Sequence, residues 1–219
     1  MTLPGAAVLV VACLAAVVDW FAVARGDLRT ERIAKPAVIV GLVAAVLLAG
    51  PGSTPVRALL VLALAASLAG DLLLLPAGRF TAGLAAFLVA HLAYLALFLL
   101  GPLDAGAALV GLGVSAVVLL RTGRPILAGA RRAGMGVPVA VYFGAICLMA
   151  IAATASVSPG ATAGAWLFVL SDALLGWDRF AAPPAGSAGA AARRRVAVMV
   201  TYHVAQILLT VAVLGSSVS

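Results

Sequence analysis

Asp71 and Asp172 each stand inside an apolar run, residues 68–75 and 167–175, and the chain has only seven acidic residues in all. A carboxylate set in hydrocarbon costs about 2.5 kcal/mol or more, so such residues mark a proton or ion pathway, a reaction site, or one half of an internal ion pair. Two such carboxylates are the best lead in the chain to a site of function. The plainer alternative is a structural pairing of each with an Arg or Lys near the membrane interface.

Other polar residues fall in the same kind of sequence. Phe80, Gly83, Phe87, His91 and Tyr94 are spaced by 3, 4, 4 and 3, which places them along one side of a helix. Tyr202 and Gln206 lie one turn apart and share a face, whereas His203 points elsewhere. Asp19, Lys35 and Tyr142 complete the set. His91 has a structural reading as an interhelical hydrogen-bonding residue, Gly83 as a site of close helix approach, and Lys35 and Asp19 as side chains that snorkel from helix ends. No HxxxH or HExxH spacing joins the histidines, so no metal is expected. Cys13 and Cys147 are single cysteines in apolar runs and read as packing residues.

The elements that must position these groups follow from composition. With 65% hydrophobic and 10% charged residues over 219 positions, the chain reads as a polytopic membrane protein, a single integral membrane domain over residues 1–219. Apolar runs at about 3–24, 34–50, 56–75, 80–100, 105–120, 137–155, 161–177 and 196–214 give an all-α bundle of eight transmembrane helices. The second and fifth are short enough to be re-entrant instead. All basic residues except Arg57 fall in the odd-numbered loops, after the first, third, fifth and seventh runs. By the positive-inside rule those loops are cytoplasmic and both termini extracytoplasmic.

On that topology the polar residues crowd the cytoplasmic half. At 1.5 Å per residue, Asp71 lies about 6 Å and Asp172 about 7 to 8 Å from the cytoplasmic ends of their helices; Tyr202 and His203 enter at about 9 to 11 Å, and His91 is near the midplane. A polar cavity open to the cytoplasmic leaflet, lined by the third, fourth, seventh and eighth helices, is the simplest arrangement. The first run lacks a basic n-region and is read as a retained span in the cell membrane rather than a signal peptide. The net charge of +7 is spread over four loops without aromatic interleaving, which fits contact with anionic lipid headgroups and excludes a nucleic-acid partner. Pro183, Pro184 and the small residues up to Ala192 read as a flexible loop. No internal repeat is visible.

Taken in order, Lys35-Pro36, Gly70-Asp71, Phe80-x-x-Gly83-x-x-x-Phe87-x-x-x-His91-x-x-Tyr94, Phe168-x-x-Ser171-Asp172 and Tyr202-x-x-x-Gln206 resemble the motifs of the YhhN-like membrane proteins, the lysoplasmalogenase family. The resemblance covers about residues 34 to 210 and departs from the pattern at His203, where a second tyrosine is expected. It implies an eight-helix hydrolase, without cofactor, that cleaves the vinyl ether bond of a lysophospholipid to a fatty aldehyde and a glycerophospho-base. It implies further that Asp71 and Asp172 form the catalytic pair. His91, Tyr94, Ser171, Tyr202 and Gln206 would orient water and the glycerol hydroxyl, and Lys35 at the rim would meet the phosphate. Vinyl ether hydrolysis proceeds through an oxocarbenium ion, for which glycosidases likewise use two carboxyl groups. The rival classes are a proton-coupled lipid or small-molecule transporter and a metal-dependent lipid hydrolase. Oligomeric state is not encoded in any of these features.

Overall fold

The computed structural model describes residues 2–50, 52–75, 78–182 and 188–216. Nine α-helices account for nearly all of them: α1 Leu3–Arg25, α2 Leu28–Leu47, α3 Thr54–Leu74, α4 Phe80–Phe98, α5 Ala105–Val118, α6 Arg124–Arg132, α7 Gly136–Ala155, α8 Pro159–Phe180 and α9 Ala188–Ser216. No strand occurs among the described residues. Helix is the form a chain this apolar must take in lipid, because it satisfies every backbone group within the segment.

Six helical stretches are long and apolar enough to cross a membrane, namely α1, α3, α4, the continuous stretch Ala105–Arg132, α7 and Gly189–Gly215 within α9. Helices α2 and α8 are comparably long, at 20 and 22 residues, but less apolar. The first carries Arg29, Glu31, Arg32 and Lys35; the second carries Asp172, Asp178 and Arg179. Of these, Glu31 and Lys35 on α2 are buried, and Asp172 on α8 is partly buried.

Three expected boundaries move. The second helix begins at Leu28 rather than near residue 34, because Asp27 caps it by accepting from the amides of Arg29 (3.1 Å) and Thr30 (3.3 Å). The fifth does not stop near residue 120. A π-helical segment, Leu119–Gly123, joins α5 to α6, so Arg121, Arg124, Arg131 and Arg132 lie on helix rather than in a loop. The last begins at Ala188, which absorbs much of the expected flexible loop; residues 183–187 lie outside the described residues.

Packing follows a closed ring, α1–α2–α3–α4–α7–α8–α9 and back to α1, with α5 against the outer side of α7 and α6 against α7 and α8. Helix α9 also reaches across to α2 and α3. A core of Leu, Ile, Ala, Met and aromatic side chains runs through the ring. The α3–α4 approach depends on two glycines. A Cβ on Gly70 would sit 2.6 Å from the Phe87 ring, and one on Gly83 would sit 2.6 Å from the Leu74 side chain. Small residues at such crossings let backbones approach closely in lipid, and Gly70 directly precedes Asp71.

Candidate active site

Three elements meet at Asp71. Its backbone position on the inner face of α3 leaves it 1% exposed. Lys35 Nζ of α2 lies 3.1 Å from its Oδ1, and the Tyr202 hydroxyl of α9 donates to its Oδ2 at 2.8 Å. Both carboxylate oxygens are thus engaged. Lys35 is itself 5% exposed. Its ammonium forms a buried ion pair with Asp71, the plainer of the two readings given to that aspartate, while the residue also lines the charged cavity described below. Pro36, next in sequence, lacks the N–H that would bond back to the preceding turn.

A different set holds Asp172 of α8. The Tyr142 hydroxyl of α7 donates to its Oδ2, and His91 Nε2 of α4 lies 3.2 Å from the same oxygen and 2.9 Å from the Tyr142 hydroxyl. Both hydrogen bonds that Asp172 makes among the described residues fall on Oδ2, which leaves Oδ1 unengaged. Its side chain is 14% exposed, in contrast to the sealed Asp71. Phe168, one turn earlier on α8, packs between the two sets, with ring centroids 4.7 Å from His91 and 5.4 Å from Tyr202.

Asp71 and Asp172 line one cavity of about 200 Å³, together with Glu31, Lys35, Ser171, Asp178, Arg195 and Tyr202. On the other side of Asp172 lies a smaller chamber of about 60 Å³, walled almost entirely by apolar side chains of α4, α6, α7 and α8. Leu74, Phe87, Asp172 and Leu175 belong to both walls. The junction of a charged space with an apolar one therefore carries a carboxyl group, one oxygen of which has no hydrogen-bond partner among the described residues.

The remaining expected residues take other places. Ser171 lines the charged cavity, and its hydroxyl donates to the Val198 carbonyl at 3.1 Å, which ties α8 to α9. Tyr94 donates to Gln206 Oε1 at 2.6 Å and Gln206 Nε2 donates to Ser67 Oγ at 2.8 Å, a buried chain across α4, α9 and α3 that lines neither cavity. His203 turns away from Asp71 as expected. Its Nδ1 accepts from Trp20 Nε1 at 3.1 Å and lies 4.0 Å from Asp19 Oδ2. Neither Asp19 oxygen has a hydrogen-bond partner among the described residues.

The sequence alone gives Tyr142 no role beyond its place among the polar residues, and assigns none to Glu31 or Arg195. The signal for Tyr142 was available: the chain has three tyrosines, and all three put their hydroxyls into this polar interior. Glu31 was hidden by its neighbours Arg29, Arg32 and Lys35, which read together as a topogenic cluster.

Fold and site define a multi-pass integral membrane protein whose helical ring encloses two carboxylate stations beside an apolar chamber. The YhhN family profile matches residues 30–213, and the chain belongs to that family. It is 35% identical over 160 residues to lysoplasmalogenase TMEM86B of Homo sapiens and 34% identical over 158 residues to its counterpart of Rattus norvegicus. These matches cover 71% and 70% of this chain, but the chain spans only 63% and 60% of the relatives' lengths. No solved structure matches.

Proposed function

We propose that the protein is a lysoplasmalogenase-type ether hydrolase: it binds an alkenyl lysophospholipid, of the phosphoethanolamine or phosphocholine kind, and hydrolyses its vinyl ether bond to a fatty aldehyde and a glycerophospho-base. The observation that carries this reading is the position of Asp172, with Oδ1 free at the seam between the charged cavity and the apolar chamber. An amphiphile with its tail toward the chamber and its headgroup in the cavity has its vinyl ether at that seam. The curated relatives carry the same activity in their names.

In this reading Asp172 gives its proton to the vinyl carbon distal to the ether oxygen, and positive charge spreads onto that oxygen. Water adds to the carbon bonded to oxygen and returns a proton to the Asp172 carboxylate. The hemiacetal then breaks, its hydroxyl proton passing to the departing glycerol oxygen. His91 and Tyr142 fix the Asp172 carboxyl through Oδ2 so that Oδ1 faces the reacting carbon. Asp71, held by Lys35 and Tyr202, supplies fixed negative charge toward the oxocarbenium ion, which a dry site makes more effective. Tyr94, Gln206 and Ser171 brace the helices around the pair.

Eight spans with both termini extracytoplasmic complete the proposal, with α2 and α8 crossing the membrane as inner members of a single domain over residues 1–219. The site then opens toward the cytoplasmic leaflet, and the basic helix ends rest on anionic lipid. Incubation of the purified protein with alkenyl, alkyl and acyl lysophospholipids tests the reaction. Aldehyde from the alkenyl lipid alone is expected; fatty acid from the acyl lipid, or no product from any of them, contradicts it.

A further inference from the structure

Lys35 lines the charged cavity but is paired with Asp71 and only 5% exposed, so a more open cation on the same wall is the better candidate for a headgroup. Arg195 of α9 lines the same cavity, and its side chain is 46% exposed. Its Nη2 reaches both oxygens of Glu31 of α2, at 3.1 and 2.8 Å, and these are the only hydrogen bonds it makes among the described residues. The guanidinium therefore keeps Nε and Nη1 as donors, in the planar fork that suits phosphate oxygens. Glu31, with its side chain 10% exposed, keeps lone pairs on both oxygens beyond those that Arg195 uses. Asp178, whose Oδ1 accepts from Arg194 Nε at 2.5 Å, adds a second carboxylate to the wall.

We infer that Glu31 and Arg195 form a headgroup subsite that selects a zwitterionic phospho-ammonium group over an anionic phosphate. This rests on the proposed lipid substrate and deepens it. The phosphate takes the free guanidinium donors of Arg195, and the ammonium lies against Glu31, so that each charge of the headgroup meets its opposite without breaking the existing pair. A phosphate monoester brings extra negative charge and no cation. It then faces Glu31 and Asp178 uncompensated, and repulsion of like charges is the basis of the discrimination.

The bland alternative is that the pair only ties α2 to α9. Binding of saturated alkyl-ether lysolipids, which cannot undergo vinyl ether hydrolysis, separates the two, with phosphoethanolamine and phosphate monoester headgroups compared on the detergent-solubilised full chain. Wild type is expected to favour the phosphoethanolamine lipid about tenfold, Glu31→Gln to erase that preference by weakening this ligand alone, and Arg195→Gln to weaken both. The double swap Glu31→Arg with Arg195→Glu restores an interhelical pair; the preference is expected to stay lost. Equal wild-type binding of both lipids, equal weakening of both by Glu31→Gln, or recovery of the preference in the swap would each overturn the subsite. Aldehyde release from alkenyl lipids is assayed in parallel. Headgroup preference without aldehyde sinks the hydrolase and leaves the subsite standing, whereas aldehyde without preference sinks the subsite alone.

Discussion

Asp71 and Asp172 border the same cavity but are held by partners of different kinds. Asp71 is sealed, with a lysine on one oxygen and a tyrosine hydroxyl on the other. Asp172 is partly open, with a tyrosine and a histidine gathered on one oxygen and no hydrogen bond to the second among the described residues. A carboxylate with a buried cation on one oxygen and a hydroxyl donor on the other is fixed in place, tuned for stability and field. One anchored through a single oxygen is free to exchange a proton through the other. Two costly carboxylates in one membrane interior need not share one task.

Neutralising each aspartate in turn separates the two roles. Asp172→Asn should lower aldehyde release by about 100- to 10,000-fold, the usual worth of a positioned general acid, with little change in the unfolding temperature. Asp71→Asn should act first on the fold: it leaves Lys35 buried without its partner, at a cost of about 3 to 5 kcal/mol in stability measured by thermal or denaturant unfolding. Adding Lys35→Met to that variant should recover much of the loss without recovering the rate. If Asp71→Asn were as stable as wild type, or if Asp172→Asn were the unstable one, the division between fixed charge and proton donor would be wrong.

The hydroxyl donors sharpen the contrast at smaller scale. Tyr142→Phe removes one of the two groups that fix Asp172 and should lower kcat more than it changes KM, by about tenfold, since misalignment of a reacting group is felt in the rate. Tyr202→Phe removes a hydrogen bond to a charged group from Asp71 and should cost about 1.5 to 3 kcal/mol in stability. Smallest of all is the effect expected far from both aspartates. Hydrogen bonds from the Thr30 side chain and the Thr30 and Arg29 amides hold the Asp27 carboxyl below the usual carboxylate range. Its folded pKa is depressed, so the α2 cap is fully present above the usual range and is lost as pH falls through the lower value. Asp27→Asn should flatten that acid-side decline in unfolding temperature, and leave neutral-pH activity alone.

Much of this was legible in the sequence because a membrane makes polar residues expensive. Helical spacing put Gly83, Phe87, His91 and Tyr94 on one face, and all four are buried on α4. The basic residues of the loops led to an expected common depth for Asp71 and Asp172, and the two line one cavity. What escaped was decided by partners rather than by depth. Nothing in the local sequence says that Lys35 turns to Asp71 instead of to lipid, or that Tyr142 rather than Tyr94 reaches Asp172; both depend on how α2 and α7 are rotated in the ring. Helix ends escaped for another reason. The Asp27 cap and the π segment at Leu119–Gly123 let helix continue through charged residues that hydropathy alone reads as loop.

Hydrolysis of an alkenyl lysophospholipid in D2O, with the aldehyde analysed immediately by mass spectrometry, tests the role of Asp172 most directly. Its exchanged carboxyl should deliver one deuteron to the carbon next to the aldehyde, at a rate that collapses in Asp172→Asn. Aldehyde formed without deuterium at that carbon, or labelled at the wild-type rate by the Asp172→Asn protein, would contradict proton delivery from Asp172 to the vinyl ether.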